Sequence, residues 1–142
     1  MPPDLILRAG ERARQILCEE GLRPERVRVV AGAAGGPKWL VLNGLDRLLF
    51  GGWLARARSP LFLVGSSIGA WRFAAAATED PAGAVDRFET GYIGQRYRRL
   101  PTPEEISAES RRIQTGFLGP AGADQVLCHP RLRLNVLAVR CR

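Results

Sequence analysis

Residues 61–77 read LFLVGSSIGAWRFAAAA, and two structural periods meet in that stretch. Leu61-Phe62-Leu63-Val64 is a continuous apolar run of strand length, the pattern of a buried parallel strand. Ile68 to Ala77 is alanine-rich and free of proline, which predicts a helix packed closely on a sheet. Between them lies the turn Gly65-Ser66-Ser67-Ile68-Gly69. This fits the GxSxG nucleophile elbow, in which a serine sits on a strained strand-to-helix turn and the flanking glycines remove side chains that would clash. Only the central serine of such a turn faces outward, so Ser67 is the candidate nucleophile and Ser66 is not.

Working backward, Val27-Arg28-Val29-Val30-Ala31 predicts a short strand, and it runs into the glycine-rich turn Gly32-Ala33-Ala34-Gly35-Gly36-Pro37. From Lys38 to Phe50, Val41, Leu42, Leu45, Leu48 and Leu49 recur at spacings of three and four, which predicts one helix with those residues inward; Gly51-Gly52 ends it. Strand, glycine loop, helix, strand, serine turn, helix is a βαβ unit. Its two parallel strands end at the same carboxyl edge of the sheet, where open α/β sheets place their ligands. The glycine loop and Ser67 are therefore expected as neighbours, although Gly36 precedes Ser67 by 31 residues.

That proximity gives the loop a chemical reading. An acyl-transfer intermediate carries an oxyanion, and preorganised backbone N–H groups aimed at it are usually the largest catalytic contribution. The N–H groups of Gly35 and Gly36 are the candidate oxyanion hole, joined by the helix N-terminus near Lys38 and by the N–H of Ile68; Pro37 has no N–H to give. Glycines at a strand-to-helix turn also serve tight packing alone, and both readings stand for Gly35 and Gly36. Lys38, the only lysine, either orients an anionic headgroup or caps the loop. A Walker loop would need glycine at Pro37 and serine or threonine at Trp39, and no GxGxxG is present.

Outward from this unit, Ala9 to Glu20 predicts a helix with Ala13, Ile16 and Leu17 on one face and Gly21 as its stop. Pro81 to about Tyr97 predicts another, with Val85, Phe88 and Tyr92 inward. Thr102-Pro103-Glu104-Glu105 carries an N-cap residue, proline at the first helical position and glutamate three residues after the cap, which start a helix running to about Phe117. Leu132 to Val139 alternates as a strand does. The expected fold class is α/β, a mostly parallel layered sheet with helices on both faces.

Composition narrows the function classes. At 46% hydrophobic and 25% charged residues, 142 residues make one ordinary globular domain. No apolar run approaches the roughly 18 residues of a membrane span, and MPPDLILRAGERARQ lacks the apolar centre of a secretory signal. Cys18, Cys128 and Cys141 form neither a disulfide framework nor a zinc site, and are expected as reduced, buried thiols of a cytoplasmic protein. No metal or organic cofactor is implied. The net charge of +7 raises the question of an anionic partner. The basic residues are scattered and no nucleic-acid reading motif accompanies them, so the charge reads first as a solvated, arginine-rich surface, with a peripheral membrane surface as the alternative.

These motifs resemble the patatin-like phospholipase family, in which a glycine-rich loop written roughly GGGx[KR]G precedes a GxSxG elbow by about thirty residues. Ala34-Gly35-Gly36-Pro37-Lys38-Trp39 followed by Gly65 to Gly69 is similar to that arrangement over residues 27–77, with Ala34 and Trp39 in place of the usual first and last glycines. The resemblance implies a serine acyl hydrolase acting on a lipid or similar acyl ester, with a Ser-Asp dyad whose aspartate stands in Asp-Gly-Gly or Asp-Gly-Ala. Asp4, Asp46, Asp80, Asp86 and Asp124 are followed by Leu, Arg, Pro, Arg and Gln, so the dyad aspartate is expected beyond Arg142. Residues 1–142 would then be the N-terminal part of one patatin-like domain, silent and poorly soluble when made alone. Three other readings compete with this one. A Ser67, Asp124, His129 triad follows the chain order of α/β-hydrolases, although His129 reads better as a turn residue. A non-catalytic α/β module could hold an anion at the loop, and a basic nucleic-acid-binding protein would explain the charge.

Overall fold

The computed structural model describes residues 6–97 and 99–140. Among them three strands, β1 (Val29–Gly32), β2 (Leu61–Ser66) and β3 (Leu132–Leu137), form one all-parallel sheet in the order β1-β2-β3. Gly32 pairs with Gly65, and Ser66 with Leu137, so the ends of all three strands lie along one edge. The helices are α1 (Glu11–Glu20), α2 (Asn43–Leu48), α3 (Ile68–Ala76), α4 (Pro81–Ile93), α5 (Pro103–Leu118) and α6 (Gly122–Leu127). The α/β class and the parallel pairing agree with the sequence.

The expectation of helices on both faces is corrected. Leu61, Leu63 and Leu132 face Phe73 and Ala76 of α3 and Ala77 just after it in one apolar cluster, with Phe50 and Leu54 completing it. On the opposite face Val29, Phe62 and Leu137 stay 55%, 47% and 62% exposed. The cause is topological. Parallel connections are right-handed, and a strand order that advances in one direction puts every crossover on the same side of the sheet. Covering both faces requires the order to reverse, and among the described residues it does not.

On the covered side α3 lies across all three strands, and the α4–α5 pair packs on it. Its small residues suit a helix enclosed on most sides: Gly69, Ala70, Ala75 and Ala76 are buried. A second cluster joins α3 to α4 and α5 through Ile68, Phe88, Ile113 and Phe117. Trp39 stacks on Phe88 within it, centroids 4.1 Å apart and planes 7° from parallel. The start of α5 is as expected: Thr102 and Glu105 form a reciprocal capping box with proline at the first turn.

The segment after the glycine loop departs furthest from the sequence. The single helix expected over Lys38–Phe50 is a 3-10 turn (Gly36–Leu42), then α2, then a π turn (Leu49–Trp53). Val41, Leu45 and Leu48 are exposed, and the buried positions are Trp39, Asn43, Asp46 and Phe50. The two polar members are satisfied by distant partners. Arg72 of α3 donates two hydrogen bonds to the Asp46 carboxylate at 2.6 and 2.5 Å, and Asn43 donates to Glu89 of α4, which Arg47 also engages. Such partners offset the desolvation that would otherwise forbid the burial.

Smaller corrections follow the same logic of packing. In α1 no residue is buried, so Ala13, Ile16 and Leu17 form no core face. Tyr97 lies beyond α4, which ends at Ile93 before Gly94. Cys18 and Cys128 are exposed rather than buried, one on this loosely packed helix and the other at the end of α6; Cys141 lies outside the described residues. Among the described residues no helix is long and apolar enough to cross a membrane, and no group of three or more potential ligands could hold a metal ion.

Candidate active site

Ser67 follows the last residue of β2 and precedes the first of α3, with φ +50° and ψ −124°. It is the only described residue other than glycine at positive φ. A side chain there costs on the order of 1–3 kcal/mol, and the surrounding structure must impose it. The flanking glycines show how. A Cβ at Gly65 would stand 2.6 Å from the backbone of Ala70, and one at Gly69 would collide with the carbonyl oxygen of Gly32 and come within 2.9 Å of that of Ala33. The first turn of α3 is thus pressed against the end of β1 with no space for a methyl group.

The hydroxyl is left free by this geometry. Serine at an N-cap ordinarily accepts a hydrogen bond from the next turn of the helix. Ser67 is the N-cap of α3 and its side chain caps nothing; it is exposed instead, while Ser66 is half-buried at the end of β2. An exposed hydroxyl with no structural duty, held in a strained backbone, can attack a substrate once a base removes its proton.

Beside it opens a cleft of about 310 Å³. Ala70, Trp71 and Ala74 form its floor along α3, Phe117 and Leu118 of α5 one wall, and Leu134 and Val136 of β3 the other. Gln114 is its one polar lining residue besides Ser67, and no carboxylate or imidazole reaches it among the described residues.

The glycine loop sits at the same sheet edge. Gly36 has φ +53°, a value that glycine adopts without strain. The N–H groups of Gly35 and Gly36 have no hydrogen-bond partner among the described residues, and neither does that of Ile68. Gly35 and Ser67 line different cavities. Gly35, Lys38, Trp39, Asp46 and Arg72 border a space of about 460 Å³ on the loop side. The structure therefore brings Gly32 and Ala33 against Gly69 of the elbow directly, and Gly35 and Gly36 make no such contact. Two features invisible in the sequence fix the halves together: the close approach of Gly69 to Gly32, and the Asp46–Arg72 pair. Arg72 stands five residues after the serine, and Asp46 lies on the helix that continues the loop.

His129 is remote from Ser67. Its Nδ1 accepts the N–H groups of Arg131 and Leu132 at 3.1 and 2.9 Å, which places the proton on Nε2 and uses the ring to close the turn into β3. Burial first, and then the nearby Arg131 and Arg133 charges, hold its pKa below the ordinary value. Leu61 pairs with Leu132 and Ser66 with Leu137, so His129 lies at the amino edge and Ser67 at the carboxyl edge. Five residue rises, about 16 Å, separate those edges. The Ser67, Asp124, His129 triad is excluded by that distance. Lys38 is exposed, and its N–H donates to the Gly35 carbonyl at 3.3 Å.

Comparison with known proteins finds no matching family model, no matching curated protein and no matching solved structure.

Proposed function

We propose that this chain carries the nucleophile half of a serine acyl hydrolase that cleaves lipid or similar acyl esters, in the manner of the patatin-like phospholipases whose motifs it resembles. The observation that carries the reading is Ser67: strained, exposed and capping nothing, at the mouth of an apolar cleft. In this reading its Oγ attacks the acyl carbonyl carbon while its proton passes to a carboxylate base. The oxyanion formed accepts hydrogen bonds from the Ile68 N–H and from the free amides of Gly35 and Gly36. Collapse of the intermediate expels the alcohol, which takes the proton. Water then repeats the attack on the acyl-serine, giving the carboxylic acid and restoring Ser67. The base is assigned to an aspartate outside residues 1–142, as the resemblance implies; no described carboxylate lines the cleft.

Hydrolysis of p-nitrophenyl butyrate by the full-length protein tests this. Ser67→Ala should reduce turnover to background, and unchanged turnover would remove the reading. The second reading, a non-catalytic anion-binding module, is favoured by the unpartnered Gly35 and Gly36 amides beside Lys38. It predicts phosphate binding that Ser67→Ala leaves intact, with no ester cleaved.

A further inference from the structure

We infer that the cleft beside Ser67 is an acyl-chain groove that selects medium-length chains of about eight carbons. The inference rests on the hydrolase reading and adds to it the substrate's size. Ser67, Ala70, Trp71 and Ala74 are spaced i, i+3, i+4 and i+7, so they form one continuous stripe along α3 that begins at the nucleophile itself. Alanines at positions 70 and 74 leave the floor open. Trp71 on the floor and Phe117, Leu118, Leu134 and Val136 on the walls make the lining apolar, and it offers nothing to hold a charged or hydroxylated group except Gln114. The chemistry that fits is a hydrocarbon chain whose carboxyl carbon lies at Ser67.

The length follows from helix geometry. Seven residues from Ser67 to Ala74 rise about 10 Å along α3. An extended chain advances roughly 1.25 Å per carbon, the projection of a 1.52 Å bond, which gives about eight carbons. Each methylene buried on the way should raise kcat/KM by about two- to fourfold.

The experiment uses the full-length protein and p-nitrophenyl esters from acetyl to hexadecanoyl. The expected result is a rise in kcat/KM up to about octanoyl and none beyond, with Ser67→Ala inactive throughout. Ala74→Leu, which intrudes on the far half of the groove, should lower the octanoyl to butanoyl ratio about tenfold. If that variant does not fold, the labelling rates of Ser67 in the wild-type protein by ethyl, octyl and hexadecyl fluorophosphonates carry the same test and should peak at octyl. Ser67-dependent cleavage that is flat with chain length, that keeps rising to hexadecanoyl, or that Ala74→Leu scales equally for all esters would overturn the groove and leave the hydrolase standing. Absence of any Ser67-dependent cleavage or labelling would overturn the hydrolase reading, and the groove with it.

Discussion

Replacing Ser67 by glycine should make the protein more stable while abolishing its chemistry. The residue stands at φ +50° and ψ −124°, and its side chain makes no capping hydrogen bond. Relief of backbone strain is worth about 1–3 kcal/mol, and the greater freedom of glycine in the unfolded chain returns about 0.5–1 kcal/mol. The net gain for Ser67→Gly is roughly 0–2.5 kcal/mol, centred near 1 kcal/mol. Ser67→Ala keeps the strain and loses no cap, so it should stay within about 0.5 kcal/mol of wild type; an ordinary serine cap would lose about 1 kcal/mol. Urea unfolding of the full-length protein measures both. With a slope of about 1–3 kcal/mol per molar, a gain of 1 kcal/mol moves the midpoint upward by about 0.3–1 M. Ser67→Gly less stable than wild type would show that no strain is stored at the elbow. Ser67→Ala losing 1 kcal/mol or more would make the serine a structural cap.

The Asp46–Arg72 pair is buried and bidentate. Arg72→Met alone should cost about 3–5 kcal/mol, and Asp46→Leu with Arg72→Met should recover most of it, as a double-mutant cycle in urea would show; additive single effects would deny the coupling. Replacing Gly36, at φ +53°, by valine displaces a candidate oxyanion donor. Turnover should fall by the equivalent of about 3 kcal/mol, and near-normal turnover in a folded variant would remove Gly36 from the oxyanion hole. His129 titrates below its ordinary value of 6.5, so its neutral form is favoured by the fold. Its contribution to stability is complete above that pH and is lost as pH falls through the lowered value. His129→Asn keeps an acceptor for the Arg131 and Leu132 amides and cannot titrate, so melting between pH 7 and 5 should become flatter; an unchanged slope would contradict this.

What the sequence made legible is what local signals carry. The apolar run, the glycine-flanked serine and the alanine-rich helix are contiguous, and each constrains the next, so β2, the elbow and α3 emerge from residues 61–77. The capping box at Thr102 is equally self-contained. The stripe of Trp39, Asn43, Asp46 and Phe50 was hidden because its polar members are buried only with partners such as Glu89 and Arg72, 46 and 26 residues away. Hydrophobic spacing chose Val41, Leu45 and Leu48 instead. The one-sided covering of the sheet depends on strand order, which no residue pattern encodes. α6 carries no sequence signal of its own: it is six residues long, and Gly122 opens it without a capping side chain. The cleft beside Ser67 is illegible in the sequence for the same reason as the stripe, since Phe117, Leu118, Leu134 and Val136 meet α3 only through the fold.

The central claim is that Ser67 is a nucleophile, and covalent labelling tests it most directly. The full-length protein is treated with a fluorophosphonate, digested, and its peptides mapped by mass spectrometry. A single adduct on Ser67, absent in Ser67→Ala, is the expected result. An adduct on Ser66 or elsewhere that survives Ser67→Ala, or no adduct at all in folded protein, would contradict it.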